Sequence, residues 1–166
     1  MIYLTTLLSA NHNRESFSCG NELLDNYFKQ QARQDVKNKV AACFVLTEDE
    51  KTVKGFYTLS NGSIPRELLP ESIIKKLPKY KDLPVTLIGR LAVDARFQGQ
   101  NLGQLLLIDA LKRAFDTSHS IGSIAVVVDP IDQSAKSFYQ KFEFIYLPVS
   151  EKMFLPMKTI QLLFNN

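Results

Sequence analysis

The sequence predicts an α/β fold: a central mixed, mostly antiparallel sheet with helices on both faces. Three observations carry this. Residues 85–128 form a strand–helix–strand unit, whose two strands are expected to be parallel neighbours with a right-handed crossover. Residues 40–60 read as a hairpin, two β-like runs about a charged turn. Two short strands at 144–147 and 152–157 close the chain.

Each element has its own signal. Residues 2–7 look like a first strand. Residues 21–34 look helical, because Leu23, Leu24, Tyr27 and Phe28 share one face, with Ser18 or Asn21 as the cap. The hairpin strands are 40–47 and 53–60, turning at 48–51. Residues 64–80 hold Pro65, Pro70 and Pro78 around a short helical candidate at 71–76, which makes the segment an excursion over one face. Residues 85–93 are a strong strand. The helix at 103–117 presents Leu105, Leu106, Ile108, Ala110, Leu111 and Phe115. Residues 124–128 are a buried-type strand, and Asp132 caps a helix running through Lys141. No repeat, linker or low-complexity tract interrupts the chain, so one domain over 1–166 is expected.

Bulk properties narrow the class. The chain has 166 residues, 45% hydrophobic and 22% charged, which is the balance of a globular protein and excludes disordered and collagen-like classes. No apolar run approaches the roughly 20 residues that span a bilayer, so no membrane partner is expected. The N-terminus lacks a basic n-region and reads as a strand, not a signal peptide. Cys19 and Cys43 have neither CxxC spacing nor a second pair, which argues against a disulfide framework and fits the reducing cytoplasm. With His12 and His119 alone, no metal site is expected. The net charge is +3 but uneven. Lys29, Arg33, Lys37 and Lys39 recur near the first helix, and Lys75, Lys76, Lys79 and Lys81 cluster with no acid between the first and last. Such clusters suit a polyanion such as RNA, or are simply solvated lysines.

The stretch LIGRLAVDARFQGQNLGQLLLIDALKRA, residues 87–114, holds the main chemical signal. An apolar strand ends in a short polar turn that opens into a helix. This layout gathers backbone N–H groups and the positive end of a helix dipole, which together bind phosphate. Gly99 and Gly103 permit unusual φ or close approach, and Asn101 is among the few other residues that tolerate the left-handed region. Gln100, Asn101, Leu102, Gly103 and Gln104 are the candidate N–H donors. The turn is neither a Walker A loop nor a Rossmann fingerprint. An ordinary strand–turn–helix connection is the alternative. Arg90 is unusual in so apolar a strand: it pairs with Asp94, four residues on, or touches substrate.

Gln98-Gly99-Gln100-Asn101-Leu102-Gly103 resembles the acetyl-coenzyme-A signature of the GNAT N-acetyltransferase superfamily, Gln/Arg-x-x-Gly-x-Gly/Ala, with Asn101 where glycine is usual. Residues 132–144 are similar to the segment Ala-x-x-Phe-Tyr-x-x-x-Gly-Phe that closes the coenzyme site. Ala135, Phe138, Tyr139 and Phe144 match, and Glu143 replaces the usual glycine, so the turn after this helix is expected to differ. The resemblance implies the GNAT acyl-CoA N-acyltransferase fold and acetyl-CoA as cosubstrate. Leu91, Ala92 and Val93 would lie along the pantetheine through backbone groups, in a strand splayed from its neighbour. Residues 98–104 would hold the pyrophosphate, and Ser134 and Phe138 would flank the coenzyme. Tyr139 would be the general acid that protonates the departing sulfur; otherwise Phe138 and Tyr139 are core aromatics.

Further motifs run from residue 17 to residue 160: FSCGNELLD, GFYTLS, LIGRLAVD and FLPMKTI. They resemble the GNAT-type toxins of bacterial toxin–antitoxin pairs. That likeness implies acetylation of the α-amino group of aminoacyl-tRNA, a block of translation, a homodimer and a ribbon-helix-helix antitoxin. Arg90, Asp94, Lys29, Arg33 and Lys37 become candidates for the acceptor side. The acceptor chemistry agrees, because residues 85–93 contain no acid to serve as base. At neutral pH roughly a tenth of an α-amine with a pKa near 8 is free nucleophile, against under a thousandth of a lysine near 10.4. Water or Asp94 remain possible bases. Two other readings stand beside this one: a GNAT enzyme acting on a small amine or a protein N-terminus, and a non-catalytic coenzyme-A-binding module, to which the departures at Asn101 and Glu143 lend support.

Overall fold

The computed structural model describes residues 2–165. Seven strands form one mixed, mostly antiparallel sheet in the order β1-β2-β3-β4-β5-β7-β6. They are β1 (Thr6–Leu7), β2 (Ala42–Thr47), β3 (Val53–Pro65), β4 (Asp82–Val93), β5 (Ala125–Val128), β6 (Ile145–Leu147) and β7 (Lys152–Pro156). Neighbours β4 and β5 are joined through α4 (Leu102–Ser118), the crossover expected from the sequence. The chain packs as two compact units, each drawn from two stretches.

In the first unit (1–60 and 88–110) the hairpin β2–β3 is antiparallel, with Phe44 opposite Tyr57 and Val45 opposite Phe56. Period-two alternation gives this sheet two apolar faces. Cys43, Val45, Val53, Phe56 and Ala92 meet Phe17, Phe28 and Ala32 on one face. Phe28 comes from a π-helical turn (Tyr27–Gln31) and Ala32 from α2 (Ala32–Lys37); α1 (Glu22–Asn26) precedes them and packs Leu24 against this core. Asn21, not Ser18, caps α1, its side chain accepting from the Leu24 N–H at 3.1 Å. The single helix expected over 21–34 therefore runs three residues further and contains a π-turn.

A buried carboxylate organises the other face. Asp109 of α4 accepts hydrogen bonds from the Leu4 N–H at 2.7 Å, the Tyr57 hydroxyl at 2.7 Å and the Thr5 hydroxyl. This explains why β1 is only two residues long rather than 2–7: the Leu4 N–H goes to a side chain, not to the sheet. Asp109→Leu strands buried donors at 1–3 kcal/mol each. A net loss of about 3 kcal/mol is expected, read as a lower urea midpoint at unchanged slope.

In the second unit (61–87 and 111–166) β5 pairs antiparallel with β7, and β7 with β6. Ile64, Leu69, Leu83, Val85, Ala125, Val127, Leu147 and Phe154 form its core, with Ile73, Ile74 and Leu77 against it. The excursion over one face is thus real, although its helix is shorter than expected. It comprises a 3-10 turn (Arg66–Leu68) and α3 (Glu71–Ile74), and Arg66 fastens it by donating its backbone N–H to the Lys81 carbonyl and Nη2 to the Ile74 carbonyl. The remaining helices are α5 (Gln133–Lys141) and α6 (Met157–Phe164), and α6 has no counterpart among the expected elements. Its spacing was readable all the same: Met157, Ile160, Leu163 and Phe164 recur every three or four residues, and Ile160 is fully buried.

Candidate active site

The turn after β4 is held from below. Asp94 is buried at 1% exposure, and its carboxylate is saturated. Arg96 approaches with its backbone N–H and Nε at 2.9 Å and Nη2 at 3.1 Å, and the Ser18 N–H adds a bond of 3.2 Å. Burial alone pushes the Asp94 carboxyl up, but these donors outweigh it and hold the pKa below the ordinary carboxylate value. Two readings of the sequence meet this carboxylate. With each of its lone pair directions engaged, Asp94 is not free to act as a strong base. Nor does it pair with Arg90, whose guanidinium lies over the Tyr27 ring instead, 3.6 Å from the centroid.

Gln98 completes the floor. Its Nε2 donates to the Cys19 carbonyl at 3.0 Å and to the Val93 carbonyl at 2.9 Å. The side chain is therefore spent on scaffold, and it occupies the Val93 carbonyl. Sequence reasoning missed this use of Ser18 and Cys19, which lie far from the turn in sequence.

Above that floor the backbone takes the conformation the residue types allow. Gly99 has φ of 81° and Asn101 φ of 61°, both left-handed. A Cβ on Gly99 would meet nothing within 4 Å, so the glycine serves conformation rather than space. Helix α4 then starts at Leu102, and the Leu105 N–H returns to the Asn101 carbonyl at 3.2 Å. The first-turn N–H groups, including those of Gly103 and Gln104, have no partner within the helix. Left-handed Gly99 and Asn101 beneath a helix of 17 residues form a cradle suited to a pyrophosphate. Because the left-handed region costs Asn little and Gly nothing, Asn101→Gly is expected to bind acetyl-CoA as tightly as the native chain or up to about fivefold more tightly. Isothermal calorimetry reads this directly, and a large loss of affinity would mean that the Asn101 side chain itself meets the ligand.

The same unit holds a polar group without a partner. The Thr58 hydroxyl is buried with no hydrogen-bond partner, 3.0 Å from where a Cβ on Gly89 would sit. A buried orphan hydroxyl beside β4 is the kind of group a ligand or ordered water satisfies.

In the second unit, Asp132 caps α5 by accepting from the Ala135 N–H at 2.7 Å. Tyr139 is 8% exposed, between Phe138 and Phe144 at ring distances of 5.2 Å. Burial pushes its phenol well above the ordinary tyrosine range, so it stays protonated. Phe138 is half-buried and Ser134 exposed in the first turn. Glu143 occupies the expected glycine position and takes φ of 69°, so the turn keeps a left-handed residue without glycine.

The basic candidates divide. Lys29 is half-buried in the π-turn, its carbonyl accepting from Arg14 Nη1 at 2.8 Å, while Arg33 and Lys37 are exposed on α2. Both thiols are driven up by burial, Cys19 to about 11 and Cys43 to about 12, so neither is a ready nucleophile. Among the described residues no group of three His, Cys, Asp or Glu is placed to hold a metal ion, and no helix is long and apolar enough to cross a membrane.

The model of the acetyltransferase (GNAT) family matches residues 8–144. The chain belongs to the GNAT acetyltransferase family. Among its relatives, the tRNA-acetylating toxin of Mycobacterium tuberculosis (strain ATCC 25618 / H37Rv) is 37% identical over 80% of this chain and 78% of its own. A probable toxin TacT of Sinorhizobium fredii (strain NBRC 101917 / NGR234) is 34% identical over 90% of this chain and 88% of its own. The solved structure of AtaT complexed with acetyl-methionyl-tRNAfMet superposes with a TM-score of 0.89 at 30% identity, covering 97% of this chain and 98% of that one. The seven-stranded sheet is thus that of a GNAT acetyltransferase.

Proposed function

We propose that this acetyltransferase is a toxin that moves an acetyl group from acetyl-CoA to the α-amino group of an aminoacyl-tRNA and so stops translation. The observation that carries the reading is the similarity to the tRNA-acetylating toxin over 80% of this chain and to AtaT solved with acetyl-methionyl-tRNAfMet over 97%. A solved structure of AtaTR bound with acetyl-CoA supports the donor.

The chain's own groups fit each task. Gly99 and Asn101 turn the backbone so that the N–H groups of residues 100–104 face a pyrophosphate. The N–H groups of Leu91 and Val93 serve the pantetheine as one more strand would, with Ala92 between them, and Ser134 and Phe138 flank the coenzyme. Acetyl-CoA supplies an activated thioester. The free amine forms the new C–N bond as the C–S bond breaks, and the sulfur leaves with the electron pair. Tyr139 gives that sulfur its hydroxyl proton, and the proton shed by the attacking nitrogen restores the phenol. No base is required of the protein, because an α-amine is appreciably neutral at physiological pH. The raised thiols of Cys19 and Cys43 favour direct transfer over an acyl-cysteine.

The finer assignments belong to the same proposal: transfer without a metal, a single domain over 1–166, a homodimer, a cytoplasmic site of action and a ribbon-helix-helix antitoxin. β3, β4 and α4 each contribute to both packing units, which supports the single domain. AtaT bound to the C-terminus of the antitoxin AtaR, and an AtaT–AtaR complex on DNA, support the antidote. The decisive experiment incubates the protein with labelled acetyl-CoA and bulk tRNA charged with the full set of amino acids. Label is expected on the aminoacyl end, released as N-acetyl amino acid when the ester is hydrolysed. Absence of label with every aminoacyl-tRNA overturns the reading.

A further inference from the structure

The Arg90 guanidinium rests on the Tyr27 ring, 3.6 Å from its centroid. A cation–π contact uses the ring face and leaves the planar N–H edges free. Among the described residues the Arg90 side chain makes no hydrogen bond or ion pair. Neither Asp94 nor Asp35 pairs with it directly. Asp94 is saturated by Arg96 and Ser18, and Asp35 accepts from the Tyr27 hydroxyl at 2.9 Å and from Gln31 Nε2 at 2.9 Å.

Tyr27 is held on three sides. Its ring stacks at 6.5 Å and 20° against Phe56, its hydroxyl is tied to Asp35, and its carbonyl accepts from the Ala32 N–H, closing the π-turn. The tie to Asp35 spans eight residues along the helix, across that turn. A π-turn is less favourable than the α-helix it interrupts and recurs where a site requires its geometry. Here it positions a ring under a half-buried arginine on the strand that carries Leu91 and Val93. A second cation stands on the same side: Arg14, bonded to the Lys29 carbonyl, acts with Arg90 on the buried Cys43 thiol.

We propose that Tyr27, braced by Asp35 and Gln31, is a positioning residue for Arg90, and that Arg90 takes a phosphate of the acceptor's 3′ end on its free guanidinium edge. This rests on the proposed aminoacyl-tRNA reading. A planar fork of donors matches phosphate in two bonds, and a seat on an aromatic face aims it with little further loss of entropy.

The test compares two acceptors: bulk charged tRNA, and the same amino acids as 3′-aminoacyl-adenosine, which keeps the ester and the α-amine but has no phosphate. The readout is the ratio of kcat/KM on the first to that on the second. Arg90→Lys is expected to lower the ratio about tenfold or more, because the point charge replaces the fork. Arg90→Gln lowers it further and reduces the log–log salt slope for charged tRNA by about 0.7, one single-strand phosphate contact. Tyr27→Leu lowers the ratio, Tyr27→Phe recovers part of the loss, and the double variant Arg90→Lys/Tyr27→Leu falls no further than Arg90→Lys alone. An unchanged ratio and salt slope in Arg90→Gln overturn the phosphate contact. Equal loss on both acceptors in Tyr27→Leu, or full additivity in the double variant, overturns the positioning role. Failure of the native protein on every charged tRNA overturns the underlying reading instead, and this inference with it.

Discussion

Tyr139→Phe is expected to lower kcat for acetyl transfer by about 10²–10⁴-fold, with the KM for acetyl-CoA nearly unchanged. The substitution removes one oxygen from a ring that is 8% exposed and packed between Phe138 and Phe144. The apolar contacts remain, so the fold is retained and the loss falls on proton donation to the departing sulfur. Burial raises the Tyr139 phenol above its ordinary value, which keeps it protonated through neutral and mildly alkaline pH. The native kcat/KM is therefore expected to rise with pH as the acceptor amine loses its proton near 8 and to show no falling limb from Tyr139 below about 10. Stopped-time assays across that range, with and without the hydroxyl, check both parts. In cells, induction of the native gene is expected to arrest growth, and the Tyr139→Phe variant to relieve the arrest. A variant that keeps full kcat would remove Tyr139 from the chemistry and leave it a core aromatic.

The features readable in the sequence are those set by neighbours along the chain. The β4–α4–β5 unit, the β2–β3 hairpin and α5 follow from periods of two and of about 3.6 residues, and the cap at Asp132 from its place before an apolar run. The left-handed residue at Asn101 was legible for the same reason, since few residues tolerate that region. What escaped depends on partners distant in sequence. Arg90 and Asp94 have the spacing of a strand pair, yet Tyr27 takes the arginine and Arg96 the carboxylate. Asp109 reads as one polar residue on a helix, and only the fold shows it buried with Thr5 and Tyr57. The π-turn has no residue signature, because one extra residue in a turn changes register without changing composition.

Gly55 gives the sharpest test of how tightly the strand bearing Leu91 and Val93 is built. A Cβ there would stand 2.7 Å from Leu106 Cδ1, 2.9 Å from the Ala92 carbonyl oxygen and 3.6 Å from Val93 Cα. The leucine tip is a flexible group in a fully packed position; the carbonyl is backbone of β4 and has no rotamer to change. Alanine gains less than about 1 kcal/mol by restricting the unfolded chain. Overpacking against a fixed strand costs about 1–3 kcal/mol. Gly55→Ala is therefore expected to be destabilised by about 2 kcal/mol, or to melt about 4–8 °C lower in a chain of this size. Gly122→Ala, where a Cβ meets nothing within 4 Å, is expected to melt within a degree or two of the native protein. Because the Ala92 carbonyl that must yield is backbone of β4 between Leu91 and Val93, the KM for acetyl-CoA is expected to rise in Gly55→Ala beyond what lost stability explains. Trimming the leucine separates the two contacts: if the side chain alone is the obstacle, Leu106→Ala restores both melting and KM to the level of Leu106→Ala by itself. If the Ala92 carbonyl is the obstacle, the KM defect persists, because β4 is still pushed away from the glycine that lets it lie close.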